Sequence, residues 1–276
     1  MAIPAPAQAG AAEAMPPGKP DNARKPWSPA RKVAMLNVGA AGAITLAGLI
    51  NWDYGSHNFQ VKNEGWFDHD TEYGGADKLG HAWSFYALGS VYTNLFEYWG
   101  YEREKAARYA ALSSWGQGLL TEVGDGFSES QGFSYEDAVA DTIGVAFGYL
   151  RAIHPRIRES VDFRLEWIPS PGLRDGRGDA FTDYSGQKYL LAFKLGGIFK
   201  SESRLLRALE IQTGYYTRGY LTGDSEYFGN KERIGYIGLG LNVTYLLERT
   251  VKHRVYGVFD YLQVPYTYAP AIHSFH

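Results

Sequence analysis

The chain has 276 residues, 45% hydrophobic and 21% charged, a composition that excludes wholesale disorder and leaves ample length for a core. The net charge of −3 hides an uneven distribution: residues 51–150 carry five Lys/Arg against fifteen Asp/Glu, a net of −10, whereas residues 162–276 carry fourteen against twelve, a net of +2. So acidic a block repels nucleic acid and attracts cations, and the absence of cysteine excludes disulfides, thiolate metal sites and Cys nucleophiles.

Residues 1–30 are rich in Ala, Pro and Gly and predict a disordered linker. Ala7-Gln8-Ala9 has the small-x-small spacing of a signal-peptide tail, without the basic and apolar regions that precede one. Arg24, Lys25, Arg31 and Lys32 then lead into an uncharged run from Val33 to Ile50. Eighteen residues are at the short end for a membrane span, so a buried helix and a membrane anchor both fit.

A loop rich in Gly, Asp, His and aromatics follows over 51–75. A second helix is expected from Ala76 to Tyr98, stopped by Gly100. A third carries Glu102 and Glu104 in its first turn and ends near Gly124. A fourth runs to Ile153, with Ser134 capping its start and Asp137 reaching back as in a capping box.

From residue 161 the apolar period changes to two. Strands are predicted over Val161–Ile168, Gln187–Ile198, Leu205–Arg218, Arg233–Leu247 and Arg254–Tyr268. Along Ile234–Leu247 one face carries Ile237, Leu239 and Leu241 and the other Gly238, Gly240 and Asn242, a pattern that suits a half-buried or a lipid-facing strand. Five strands are too few for an outer-membrane barrel of about eight or more. The expected class is therefore α+β, with an acidic helical module over 31–155 formed as a four-helix bundle. An antiparallel β-meander of about five strands over 156–276 packs on it.

Three polar pairs fall at helix ends. Asp77 and His81 share a face at the start of the second helix, Glu122 and Asp125 lie at the end of the third, and Asp137 and Asp141 lie at the start of the fourth. Antiparallel packing would bring all six to one end of the bundle, with Asp53, His57, Asp68, His69 and Asp70 of the loop nearby. Each has a plain structural explanation: Asp77 as a helix-start anion, Asp137 as a cap partner, His81 as a hydrogen-bonded core residue. Glu122 and Asp125 resist it, since carboxylates at a helix C-terminus are disfavoured by about 0.3–1 kcal/mol. Asp141, inside an otherwise apolar helix, needs a partner, a proton or a metal. Such a set suits a divalent cation, or a metal-free acid–base pair built on His81 and a raised-pKa carboxylate.

Asp77-Lys78-Leu79-Gly80-His81, Glu122-x-x-Asp125 and Asp137-x-x-x-Asp141-x-x-Gly144-x-x-x-Gly148 resemble, in that order, the YfiM-like family of predicted bacterial envelope lipoproteins. More remotely they resemble the VanZ-like membrane proteins, where Asn usually stands at the position of Asp141. Glu64-Gly65-Trp66-Phe67 and Asp183-Tyr184-Ser185-Gly186-Gln187-Lys188 resemble longer relatives that carry the C-terminal sheet as well. The resemblance implies a cell-envelope location, periplasmic or outer-membrane associated, and a shared polar site; it carries no activity. The lipid-accepting Cys of the family is not among these residues. The reading is an envelope protein acting on a lipid or peptidoglycan precursor, against a non-enzymatic structural or binding protein of the envelope. Arg108–Glu122 encloses only thirteen residues, fewer than the ~20 of a membrane span, so the bundle is expected to fold mostly outside the bilayer.

Overall fold

The computed structural model describes residues 26–248 and 254–275, with the backbone alone for 254–256. The linker expected over residues 1–30 falls almost wholly outside them. Helix α1 spans Pro29–Asn51, its start fixed by Ser28, whose hydroxyl accepts the Arg31 N–H at 3.3 Å. Helices α2 (Ala76–Tyr98) and α3 (Arg103–Asp125) are joined through Gly100, whose φ of +103° breaks the helix. Helix α4 (Tyr135–Ile153) begins with the Ser134 hydroxyl accepting the Asp137 N–H at 3.2 Å, and α5 (Pro155–Ser160) follows at once. The expected capping box is only half present. Asp137 turns instead to Lys78, and the Ser134 N–H is held by Glu122 at 3.2 Å.

Helices α2, α3 and α4 pack against one another, and a Cβ on Gly144 of α4 would stand 2.0 Å from the Ala82 carbonyl oxygen of α2. No larger residue permits that approach. Helix α1 is not an equal fourth member of a bundle. It lies along α3 through Asn37, which donates to Ser113 (2.9 Å) and accepts from Gln117 (3.2 Å), and Gly48 is its one buried residue. The two-residue strands β1 (Val61–Lys62) and β2 (Phe133–Ser134) pair in parallel and pin the loop after α1 to the start of α4.

The C-terminal half is a five-stranded antiparallel meander in sequential order: β3 (Val161–Trp167), β4 (Gln187–Lys194), β5 (Leu209–Arg218), β6 (Glu232–Leu241) and β7 (Tyr268–Phe275). The expected strand over Arg254–Tyr268 is corrected. Arg254–Asp260 is a 3-10 helix, the N–H groups of Tyr261 and Leu262 both turn to the Val258 carbonyl, and pairing with β6 begins only at Tyr268. Four other ends are shorter than expected, β3 by the single residue Ile168. β6 stops at Leu241 because the Asn242 side chain accepts the Tyr245 N–H (3.1 Å) and opens a short helix; β4 stops at Lys194; β5 begins after the short helix Arg204–Ala208.

The register puts Phe163, Leu191, Thr213, Ile237 and Ala271 on one face and Arg164, Leu190, Gly214, Tyr236 and Ile272 on the other. The first face meets the helices chiefly at its β3–β4 end, where Phe163 and Tyr189 pack on Ala82 and Tyr86, and Tyr215 of β5 donates to the Gly74 carbonyl just before α2. Beyond that its apolar row is open, with Ile237 63% and Leu239 53% exposed. The second face buries Asp162, Arg164, Glu166, Glu210 and Gln212. The sheet curls around these charges: Lys188 of β4 reaches Glu166 of β3 at 2.7 Å and the Tyr268 hydroxyl of β7 at 3.2 Å. Residues 261–263 close the β3 edge, Gln263 donating its N–H to the Leu165 carbonyl at 2.9 Å. The inside of the curl holds these charges beside a buried apolar cluster of Leu190, Ala192, Tyr216, Ile234 and Tyr236, and the open outer row is largely apolar.

Candidate functional site

The start of α2, the end of α3 and the start of α4 come together, and with them Asp77, His81, Glu122, Asp137 and Asp141. Their contacts form two adjoining groups. In the first, the Lys78 ammonium is surrounded by Glu64 (2.5 Å), Asp77 (2.8 Å) and Asp137 (2.9 Å). In the second, His81 Nδ1 lies 3.0 Å from Asp141 and 3.9 Å from Glu122, while its Nε2 lies 3.8 Å from Asp137. Asp137 thus joins the two groups. Asp125 stays at the rim, half-buried beside Tyr54, whose hydroxyl donates to the Thr121 carbonyl at 3.1 Å.

The loop residues do otherwise. His57 is exposed against its neighbour's carbonyl, and His69 pairs with Asp70 at the surface (3.0 Å). Asp53 and Asp68 are exposed as well. What the loop delivers instead is Glu64, held in place because the Gly65 N–H donates to Glu136 at 3.1 Å. Sequence spacing on helices does not reach a loop residue. The only signal for it was the Glu64-Gly65-Trp66-Phe67 phrase, which marked a resemblance and no contact.

Burial would lower the His81 pKa, but the Asp141 hydrogen bond and the charges of Asp137, Asp141 and Glu122 outweigh it and hold the imidazolium up to about 10. Burial pushes the Glu122 carboxyl up to about 8, and the neighbouring acids add to it. Burial likewise raises Asp125 to about 6, and it raises Asp137 and Asp141 as well. Glu64 goes the other way: burial is outweighed by the Lys78 hydrogen bond and charge, which hold it well below its usual range. The cluster therefore keeps protons on some acids while it keeps His81 charged.

Among the described residues, two sets of three have donor atoms within 4.8 Å of one another, as a metal ion requires: His81, Glu122, Asp141, and Glu64, Asp77, Asp137. The Lys78 ammonium already fills the second. In the first, the buried Asp141 Oδ2 has no hydrogen-bond partner and faces Gly118 of α3, where a Cβ would come within 2.6 Å. Asp137 Oδ1 also lacks hydrogen-bond geometry, but at 2.9 Å from Lys78 it is charge-paired, so Asp141 Oδ2 is the oxygen left unsatisfied. The His81 side chain retains 27% exposure and gives the group its face toward solvent.

The raised Glu122 pKa has a measurable consequence. Its folded form keeps a proton that the unfolded chain releases near 4.5, so its contribution to stability is full below 4.5 and is lost as pH rises through about 8. That of His81 is full below 6.5 and is lost as pH rises through about 10. Thermal melts at pH 5, 7 and 9 should fall steadily for the wild type. Glu122→Gln should flatten the fall between pH 5 and 8 and leave the variant the more stable at pH 9. An unchanged slope would contradict the assigned protonation.

No curated protein and no solved structure matches the chain. Residues 63–153, which carry the whole cluster and less than half of the chain, match the family described as predicted periplasmic lipoprotein (DUF2279), and this similarity supports a bacterial periplasmic lipoprotein family for the helical part.

Proposed function

We propose that this is a membrane-associated protein of the periplasm whose His81–Asp141–Glu122 group works as an acid–base site on the polar part of an envelope lipid or peptidoglycan precursor. The observation that carries this reading is the pairing of a half-open, charged His81 with a buried Asp141 oxygen that has no partner. Other buried oxygens lack a partner too, Glu166 Oε2, Asp183 Oδ1 and Gln212 Oε1 among them, but Asp141 Oδ2 belongs to a carboxylate bonded to the partly exposed His81, where a ligand could offset the roughly 1–3 kcal/mol that an orphaned oxygen costs. Glu122 near pKa 8 holds a proton that it can give up at neutral pH, beside an imidazolium that can orient an anionic oxygen. The lipoprotein character of the matched family supports membrane association. The ordered motifs around Asp77, Glu122 and Asp137 support a narrower kinship with YfiM-like proteins and, further off, VanZ-like ones.

A divalent cation held by His81, Glu122 and Asp141 is the second reading, favoured by the same unsatisfied Asp141 oxygen. The non-enzymatic alternative draws on the Lys78 group, which ties the loop to α2 and α4 with no site open to a ligand. Asp141→Asn and His81→Gln separate these readings. With folding verified by circular dichroism, both should abolish the cellular function and cause a lipid or precursor species to accumulate. Well-folded variants with a normal envelope profile would remove the catalytic reading. A wild-type melting temperature that rises with added divalent metal, and no longer does so in Asp141→Asn, would select the cation.

A further inference from the structure

A second set of acids gathers at one end of the sheet, away from the helix ends that build the His81 cluster. The β3–β4 connection, residues 168–186, carries Asp175, Asp179 and Asp183, and the β5–β6 connection, residues 219–231, carries Asp224 and Glu226. Three of the five have surface partners. Asp175 accepts the Tyr227 hydroxyl, Glu226 accepts Arg177 Nη2 at 3.0 Å, and Asp179 accepts the Phe181 and Thr182 N–H groups at 2.7 and 3.1 Å. Asp183 and Asp224 differ, being only 2% and 1% exposed. Both line a cavity of about 320 Å³ between the two connections, together with Ser170 and Asp179.

Each buried acid uses one oxygen to shape its own connection. Asp183 Oδ2 accepts the Ser170 N–H and the Trp167 indole N–H, both at 3.0 Å. Its Oδ1 is buried with no hydrogen-bond partner. Asp224 Oδ2 accepts the Leu221 N–H at 3.1 Å and the Ser185 hydroxyl. Asp224 Oδ1 and Ser170 Oγ face Gly172, lying 3.8 and 3.7 Å from where a Cβ would stand there. Ser170 thus holds one acid by its N–H and lies close to the second by its hydroxyl. Charge is unbalanced as well. Arg177 is taken by Glu226, and Arg218, stacked on Tyr216 at 4.5 Å, acts on both acids from a distance while its Nη1 donates to the Thr217 carbonyl at 2.7 Å. Asp179, Asp183 and Asp224 against Arg218 give three negative charges and one positive, a net of −2 at the cavity.

We propose that the free oxygens of Asp183 and Asp224 hold a divalent cation of the calcium type in this cavity, fastening the β3–β4 connection to the β5–β6 connection. The donors at hand are carboxylate, hydroxyl and backbone oxygens, the set that a hard cation takes. A buried carboxylate oxygen left without a donor is costly, and a cation on it removes that cost. One divalent ion also cancels the net of −2, which a neutral polyol would leave in place and an anion would increase. Calcium suits the site better than magnesium, because it accepts six to eight oxygens in irregular geometry, waters included, whereas magnesium demands a near-ideal octahedron. The ion is a fastener between two connections, and its site is independent of the chemistry proposed for His81.

Chelator-stripped full-length protein, titrated with calcium chloride to on the order of 10 mM, should gain about 5 °C in melting temperature. Asp183→Asn and Asp224→Asn, with folding verified by circular dichroism, should lose that rise, and Asp141→Asn should keep it. Trp167 supplies a local reporter, since its indole N–H rests on Asp183. Terbium added in place of calcium should emit when tryptophan is excited, and excess calcium should abolish the emission. Trp167→Phe should lose the terbium emission and keep the calcium-induced rise. That variant leaves both acids intact, so it decides the matter even where Asp183→Asn fails to fold. Three results would each overturn the proposal: a wild type that does not respond to calcium, terbium emission that survives in Trp167→Phe, or a calcium response lost in Asp141→Asn and kept in Asp183→Asn. The last would place the ion at the His81 group instead.

Discussion

Lys78→Met is expected to cost on the order of 3–5 kcal/mol of folding stability, the usual penalty for removing one partner of a buried ion pair. The ammonium is 2% exposed and lies within 2.9 Å of three carboxylates, Glu64, Asp77 and Asp137, which would be left facing one another. Its sensitivity to pH identifies the cause. In the wild type Glu64, held below its usual 4.5, contributes stability that is present above that pH and lost as pH falls. In the variant the abandoned carboxylates bind protons more tightly when folded than when unfolded, so the sign reverses and the defect shrinks as pH falls. Urea denaturation at pH 4.5 and 7.5 checks this. A loss below 1 kcal/mol at pH 7.5, or one that does not depend on pH, would show that solvent reaches the cradle.

A loss of similar size is expected for Arg164→Met within the curl of the sheet. Arg164 is 1% exposed and holds Glu210 at 2.7 and 3.0 Å, Asp162 at 2.6 Å and Gln263 at 3.1 Å. Asp162 keeps Lys194 at 2.7 Å and Arg151 as partners, so Glu210 is the group left without a cation. Removing that charge as well, in Arg164→Met/Glu210→Gln, should recover most of the loss, about 3–5 kcal/mol, because a buried pair often contributes little more than a neutral replacement. A double variant no more stable than Arg164→Met would mean that the guanidinium acts through packing.

Periodicity and caps carried most of the helical half. The bounds of α2 follow from the stop at Gly100, and the convergence of Asp77, His81, Glu122, Asp137 and Asp141 follows from antiparallel helices with short connections. Glu64 was missed because a loop has no period to place it; its position depends on the Gly65–Glu136 bond, which joins residues far apart in sequence. In the sheet, a period of two shows that the faces of β6 differ but not which of them turns inward. Ile237 and Leu239 suggest a core, yet their row is open, because the opposite face must enclose charges that three strands contribute. The strand expected over Arg254–Tyr268 failed for a related reason. Tyr and Val content favours extended chain, but Pro265 offers no N–H and the local turn at Val258 takes up the donors that a ladder would use.

The closure of the sheet by residues 261–263 sets an order of events during synthesis. All four long helices and the whole acidic cluster lie before residue 154, with contacts among neighbouring elements, and can assemble while the rest of the chain is still being made. β3 emerges next with Asp162, Arg164 and Glu166, but the residues that close its edge, 261–263, follow only after β4, β5 and β6. Until Gln263 and β7 arrive, those charges stay hydrated and the strands stay loosely joined. A nascent chain stalled before residue 261 should therefore hold a finished helical half and an unfinished sheet. A stop codon anywhere in β7 should spoil the second without the first.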